Sequence, residues 1–129
     1  MNAIDTNIIV RCLTNDMPDQ AKAARALIDR EQVFVPLTVV LETEWVLRKS
    51  YRMSAEQTVP AIRRFLGLDN IVPEMPGRVD AALDAVARGF DFADALHLAA
   101  AEDGDIFFSF DRDLAKAAAH GDGPIVRAP

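Results

Sequence analysis

Residues 33–51, Val33-Phe34-Val35-Pro36-Leu37-Thr38-Val39-Val40-Leu41-Glu42-Thr43-Glu44-Trp45-Val46-Leu47-Arg48-Lys49-Ser50-Tyr51, pass from a short apolar strand into a long helix. Val33–Val35 is a β-type run, and Pro36, which has no N–H to give to a ladder, stops it. Leu37 to about Tyr51 then reads as a helix. The same alternation runs outward in both directions. Residues 2–5 form a brief strand, and 6–14 a helix with Thr6 as its N-cap. Pro18 opens a second helix, with Ala21, Ala24, Leu27 and Ile28 at helical spacing. Downstream come a helix over 55–66 behind the cap Ser54, a strand over 70–72, and a helix from Pro76 to Arg88 ended by Gly89. A helix over 91–103, a strand over 106–110, a helix over 114–119 and a strand at 125–126 complete the pattern. Short apolar strands separated by helices predict an α/β fold, a parallel sheet covered on both faces in a three-layer α/β/α sandwich. Ligands of such sheets bind beyond the carboxyl ends of the strands.

The chain has 129 residues, half of them hydrophobic and 26% charged, which excludes wholesale disorder and allows one sizeable core. Glycine and proline are scattered singly and no repeat or linker interrupts the pattern, so residues 1–129 read as one domain. No apolar run approaches the ~18 residues that span a bilayer. Asp5 stands where a secretory signal needs an apolar stretch, and the single Cys12 cannot form an internal disulfide; both fit a cytoplasmic protein. With 20 Asp and Glu against 14 Lys and Arg, the formal charge is −6, which argues against a partner recognised by a basic surface.

Several acids stand at the ends of elements. Asp5 terminates the first strand, and Asp111 lies just past the strand that ends near Ser109. Each has the alternative role of capping the next helix. Glu42 has Val39, Trp45 and Val46 three and four positions away, so its carboxylate is expected on an apolar face, needing a partner or a metal. Glu44 has Arg48 four residues on, and an ion pair suffices for it. Asp91 reads as an N-cap with Asp94 at the third helical position, an acid that can also face a site at that terminus. His97 and His120 carry little signal. If Asp5, Glu42, Asp94 and Asp111 converge at one rim, their repulsion requires cations, and Mg²⁺ or Mn²⁺ suits such oxygen donors. The corresponding chemistry is metal-assisted phosphodiester hydrolysis, with one ion or two.

Four segments carry a resemblance: Asp5-Thr6-Asn7-Ile8-Ile9-Val10-Arg11, Val40-Leu41-Glu42-Thr43-Glu44-Trp45-Val46-Leu47, Asp91-Phe92-Ala93-Asp94-Ala95-Leu96-His97-Leu98-Ala99 and Phe107-Phe108-Ser109-Phe110-Asp111. In this order and spacing they resemble a PIN domain, specifically the toxin ribonucleases of VapBC toxin–antitoxin pairs. The resemblance covers nearly the whole chain. It implies a parallel sheet of four or five strands and an acidic pocket in which Asp5, Glu42, Asp94 and Asp111 coordinate Mg²⁺ or Mn²⁺. Asp5 and Asp94 would be direct ligands, and Glu42 would bind directly or through water and orient the attacking water. Asp113 stands two residues after Asp111 and is the alternative to it, or its support. Thr6, Asn7 and Ser109 fit supporting roles, holding carboxylates or water. The resemblance also implies RNA as substrate, homodimers, and an antitoxin protein that assembles with the toxin and inhibits it with a basic segment. Arg112 and Lys116, one turn apart beside Asp111, are the candidate RNA-binding cations.

Two other readings compete. A phosphoryl-transfer fold with Asp5 as nucleophile would need an acid at position 7, which is Asn7, and a lysine near the later strands, where none follows Ser109 before Lys116. A non-catalytic PIN-like module that binds RNA or protein would ordinarily lack some of the acids, and all are present. Setting the four acids aside brings the formal charge from −6 to −2, so the placement of charge, more than its sum, carries the prediction.

Overall fold

The computed structural model describes residues 1–101, 104–121 and 123–129. The chain divides into two compact units, Met1–Pro76 and Gly77–Pro129. The first holds β1 (Asn2–Ala3), α1 (Thr6–Thr14), α2 (Pro18–Arg30), β2 (Val33–Val35), α3 (Leu37–Lys49), α4 (Ala55–Leu66) and β3 (Ile71–Pro73). The second holds α5 (Pro76–Ala87, entered at the boundary), α6 (Phe92–Ala100), β4 (Ile106–Phe108), α7 (Arg112–Ala118) and β5 (Ile125–Arg127). Positions 102 and 103, at the end of the helix expected over 91–103, lie outside the described residues.

In the first unit β2 lies between β1 and β3, and all pairs are parallel, with Asn2 opposite Val33 and Val33 opposite Ile71. The ladder runs on past β1, because Ile4 N–H donates to Phe34 O at 3.1 Å. Asp5 therefore stands just beyond the carboxyl end of its strand. Val33 and Val35 are fully buried, and Ile9, Val40, Leu47, Ile62 and Phe65 bury the apolar stripes of their helices. In the second unit β4 and β5 pair in parallel, with Phe107 opposite Val126, and Ser109 N–H donates to Arg127 O at 3.1 Å. The parallel α/β reading holds, but among the described residues the hydrogen-bonded ladders are two, of three and two strands, rather than one sheet of four or five. Strands of two or three residues have few backbone groups with which to extend a ladder. Among the described residues no helix is long and apolar enough to cross a membrane.

Helix entries show how acids are used. Asp5, not Thr6, is the N-cap of α1, and its Oδ1 accepts from Thr6 N–H at 2.7 Å. Thr6 instead enters the helix, where its buried Oγ1 has no hydrogen-bond partner among the described residues. Pro36 precedes α3 and has no side chain able to cap it. Glu74, one residue past β3, supplies the acceptor: its Oε2 takes the Leu37 N–H at 2.7 Å. Ser54 and Gln57 form a capping box at α4, with Ser54 N–H donating to Gln57 Oε1 at 3.0 Å.

Glu74→Ala should lower stability by about 1 kcal/mol in urea denaturation, whereas Glu74→Gln, which keeps an acceptor, should lose less. Thr58, 2% exposed, leaves its Oγ1 unbonded in the core among the described residues. Thr58→Val should therefore stabilise by about 1 kcal/mol. The same change at Thr43, whose hydroxyl donates to Val39 O at 2.7 Å, should give no gain.

Candidate active site

The first unit contributes Asp5 and Glu42. Asp5 is exposed at the end of β1, with one carboxylate oxygen committed to its helix cap. Asn7, in the first turn of α1, is exposed too. Glu42 does not sit on an apolar face. The stripe that α3 buries is Val40, Thr43, Glu44 and Leu47, spaced three and four apart, and this turns Glu42 and Trp45 outward. Trp45 is 53% exposed, so the apolar neighbours that the spacing offers to Glu42 lie largely at the surface. The buried carboxylate of this helix is Glu44, compensated as expected by Arg48, whose Nε donates to Glu44 Oε2 at 3.0 Å.

The second unit brings Asp94 and Asp111 together. Asp91 caps α6, its Oδ2 accepting from Asp94 N–H at 3.2 Å, which puts Asp94 in the first turn. Asp111 caps α7, its Oδ1 accepting from Asp113 N–H and Leu114 N–H, both at 3.0 Å. Ser109 holds this turn through Oγ, which accepts from Asp111 N–H at 3.0 Å, so it supports the backbone of the acid rather than its carboxylate. Desolvation pushes the Asp94 carboxyl above the usual carboxylate range, and the charges of Asp91 and Asp111 push the same way against a smaller opposing effect of His97. Asp113, exposed and one residue into the helix, is held at its backbone by Asp111; the two acids are therefore not equivalent.

In either unit, among the described residues, no three His, Cys, Asp or Glu side chains are gathered closely enough to hold a metal ion. The Asp94 and Asp111 carboxylates nonetheless fit a hard cation. Mg²⁺ is commonly held by one or two carboxylates, with water and substrate phosphate completing its shell. Asp111 retains Oδ2 for such a role, and a cation would offset both the desolvation of Asp94 and the added repulsion from Asp91 and Asp111. The cavity of about 430 Å³ in this unit lies elsewhere, lined by Arg78, Asp84, Arg88 and Phe90 among small residues and by none of the four acids.

Parallel strands that end in acids, each followed by a helix, define a parallel α/β protein. The chain matches the PIN domain family over residues 3–120 and belongs to it. PIN domains are generally nucleases. No curated protein matches the chain.

Sequence spacing found the acids but not two of their neighbours. Glu74 had the same signal as Asp5, an acid directly after a strand, and the structure employs it as a helix cap. Asp91 was legible only as a cap, yet its charge also acts on Asp94.

Because the folded state raises the Asp94 pKa, it holds that proton more tightly than the unfolded chain does. The metal-free protein should lose stability as pH rises from about 4, through the unfolded carboxylate value, toward the higher folded value. Thermal melts in EDTA should show this fall in the wild type and a weaker one in Asp94→Asn. Added Mg²⁺ or Mn²⁺ should restore stability at neutral pH only where Asp94 is present.

Proposed function

We propose that the protein is a metal-dependent endoribonuclease and the toxin of a type II toxin–antitoxin pair. The observation that carries this reading is the match to the PIN domain family, in a chain whose second unit sets Asp94 in the first turn of α6 and Asp111 at the cap of α7 beyond β4. Asp94 and Asp111, both in the second unit, would hold Mg²⁺ or Mn²⁺ through carboxylate oxygens; Asp5 and Glu42, in the first unit, are the other two acids that the PIN resemblance implies. The cation supplies Lewis-acid stabilisation of the charge that builds on the scissile phosphate. Asp111 is preferred over Asp113 as the fourth acid because its charge acts on Asp94 and its Oδ2 has no role in capping α7. Glu42, exposed on α3, accepts a hydrogen bond from the attacking water and orients it. In the hydrolysis, the water oxygen forms a bond to phosphorus as the bridging P–O bond breaks. The leaving oxygen ends protonated.

The substrate is RNA in the cytosol, and the protein acts as a homodimer or in a hetero-oligomer with its antitoxin. The antitoxin inhibits by placing a basic side chain against Asp94 and Asp111, whose negative charges favour a positive partner. A second reading, a PIN-like module that binds without cutting, draws on the helix caps that already occupy one oxygen each of Asp5 and Asp111.

The test is RNA cleavage with Mg²⁺ or Mn²⁺, followed by mapping of the new ends. Asp5→Asn and Asp94→Asn should each lower cleavage by at least about 100-fold with the fold retained, the scale expected on losing a charge-stabilising group. Asp113→Asn should cost much less than Asp111→Asn. Retained cleavage in both Asp5→Asn and Asp94→Asn would sink the mechanism. Metal-independent RNA affinity with no product would favour the binding module.

A further inference from the structure

Strand β4 was expected to be covered on both faces, yet only one of its faces is. Phe107 and its partner Val126 point inward, and Val126 is buried. The opposite face carries Ile106 at 40%, Phe108 at 57% and Ile125 at 66% exposure. Phe110, two residues beyond Phe108, is 84% exposed and leaves both faces of its ring open. Single exposed apolar residues need no explanation, but a group sharing one strand pair marks a binding surface.

The charges around this face say what kind of ligand suits it. Arg127 lies opposite Phe108 in the ladder, and its guanidinium stands 5.7 Å from the centre of that ring. Arg112 follows Asp111, and Lys116 lies one turn further along α7. Both are exposed, and neither takes part in an ion pair among the described residues. A purely apolar partner would gain nothing from these cations and would have to desolvate them. A strand of nucleic acid uses both features: its bases stack on aromatic rings and its phosphates pair with Arg and Lys.

Position sharpens the assignment. Phe110, Asp111 and Arg112 are consecutive, so an aromatic ring, a candidate metal-holding carboxylate and a cation are within two residue spacings, roughly 7 Å of chain. A nucleotide spans a comparable length, so a base on Phe110 brings its neighbouring phosphate to Asp111. Duplex bases are already stacked on both faces and cannot use an open ring. We infer that Phe110, two residues past Phe108 and its Arg127 partner, forms a stacking platform for an unpaired base of single-stranded RNA, and that Arg112 and Lys116 hold the adjoining phosphates. This rests on the nuclease reading and adds to it the residues that take the base and the phosphates beside the cut.

The test measures binding apart from cleavage. The full-length protein, kept in EDTA so that no turnover occurs, is titrated into a labelled single-stranded RNA of about a dozen nucleotides and into the matching duplex. The single strand should bind more tightly. Phe110→Ala and Phe110→Leu should each weaken it about 5-fold to 150-fold, the range for loss of one stacked base, whereas Phe110→Tyr should stay within about 2-fold. Leu keeps the apolar surface but not the ring, so wild-type affinity in Phe110→Leu would overturn the platform. No loss in Phe110→Ala would do the same. If Phe110→Ala bound RNA normally but converted a sedimenting dimer into a monomer, the face would be a protein interface and the inference would fall. Asp94→Asn keeps the nuclease question separate. It should lose cleavage yet retain RNA binding that depends on Phe110, and a protein that binds this way but never cuts would sink only the nuclease reading.

Discussion

The first turn of every helix leaves backbone N–H groups without partners, and this chain meets that requirement largely with carboxylates placed where strands or turns end. Asp5, Asp91 and Asp111 cap the helices that follow them, and Glu74 reaches from the end of β3 to the start of α3. The interaction is charge-assisted and lies at the positive end of the helix dipole. It also fixes where the acids stand: capping requires the side chain to turn back over the helix terminus, which in a parallel α/β arrangement is the edge where ligands bind. Structural need and catalytic opportunity therefore fall on the same residues. A capping carboxylate spends one oxygen on the backbone and keeps the other, as Asp111 does. Such an acid is held rigidly before any ligand arrives, the preorganisation that electrostatic catalysis exploits.

The same arrangement bears on the conflict between an acidic chain and the RNA substrate proposed for it. A formal charge of −6 reads as unfavourable to nucleic acid when it is spread evenly. Here part of it is localised: the charges of Asp91 and Asp111 both act on Asp94 in the second unit. Arg112, Lys116 and Arg127 lie in that unit as well, within a few residues of exposed phenylalanine rings. The proposed roles, acid for a cation, base for a phosphate and ring for a nucleobase, rest on local placements that a net charge averages away.

Element type and order were legible because they depend on local chemistry. Val33–Val35 followed by Pro36, Pro18 at a helix start, Ser54 with Gln57, and Gly89 after α5 each act within a few residues, and the elements begin or end where those signals stand. Gly89 adopts φ +99, which a residue with a side chain adopts only under strain. The face of a helix that turns inward was less legible. In α3 two apolar stripes compete, one through Val39, Trp45 and Val46 and the other through Val40, Thr43 and Leu47. Periodicity alone could not choose between them, because the second includes Glu44. Its burial became affordable once Arg48 was folded against it.

By itself the sequence determined the alternation of strands and helices, the caps Ser54 and Asp91, and the membership of residues 3–120 in the PIN domain family. These follow from backbone hydrogen bonding, side-chain branching and motifs a few residues long, which act whatever the rest of the chain does. Tertiary structure alone decided that Glu42 faces outward and Glu44 inward, that Glu74 caps a helix 37 residues upstream, that Asp94 feels the charge of Asp111, and that one face of β4 stays open. Each of these depends on which distant segment comes to lie alongside. Burial, Coulomb interaction and exposure are properties of separation in space, and separation along the chain does not set them.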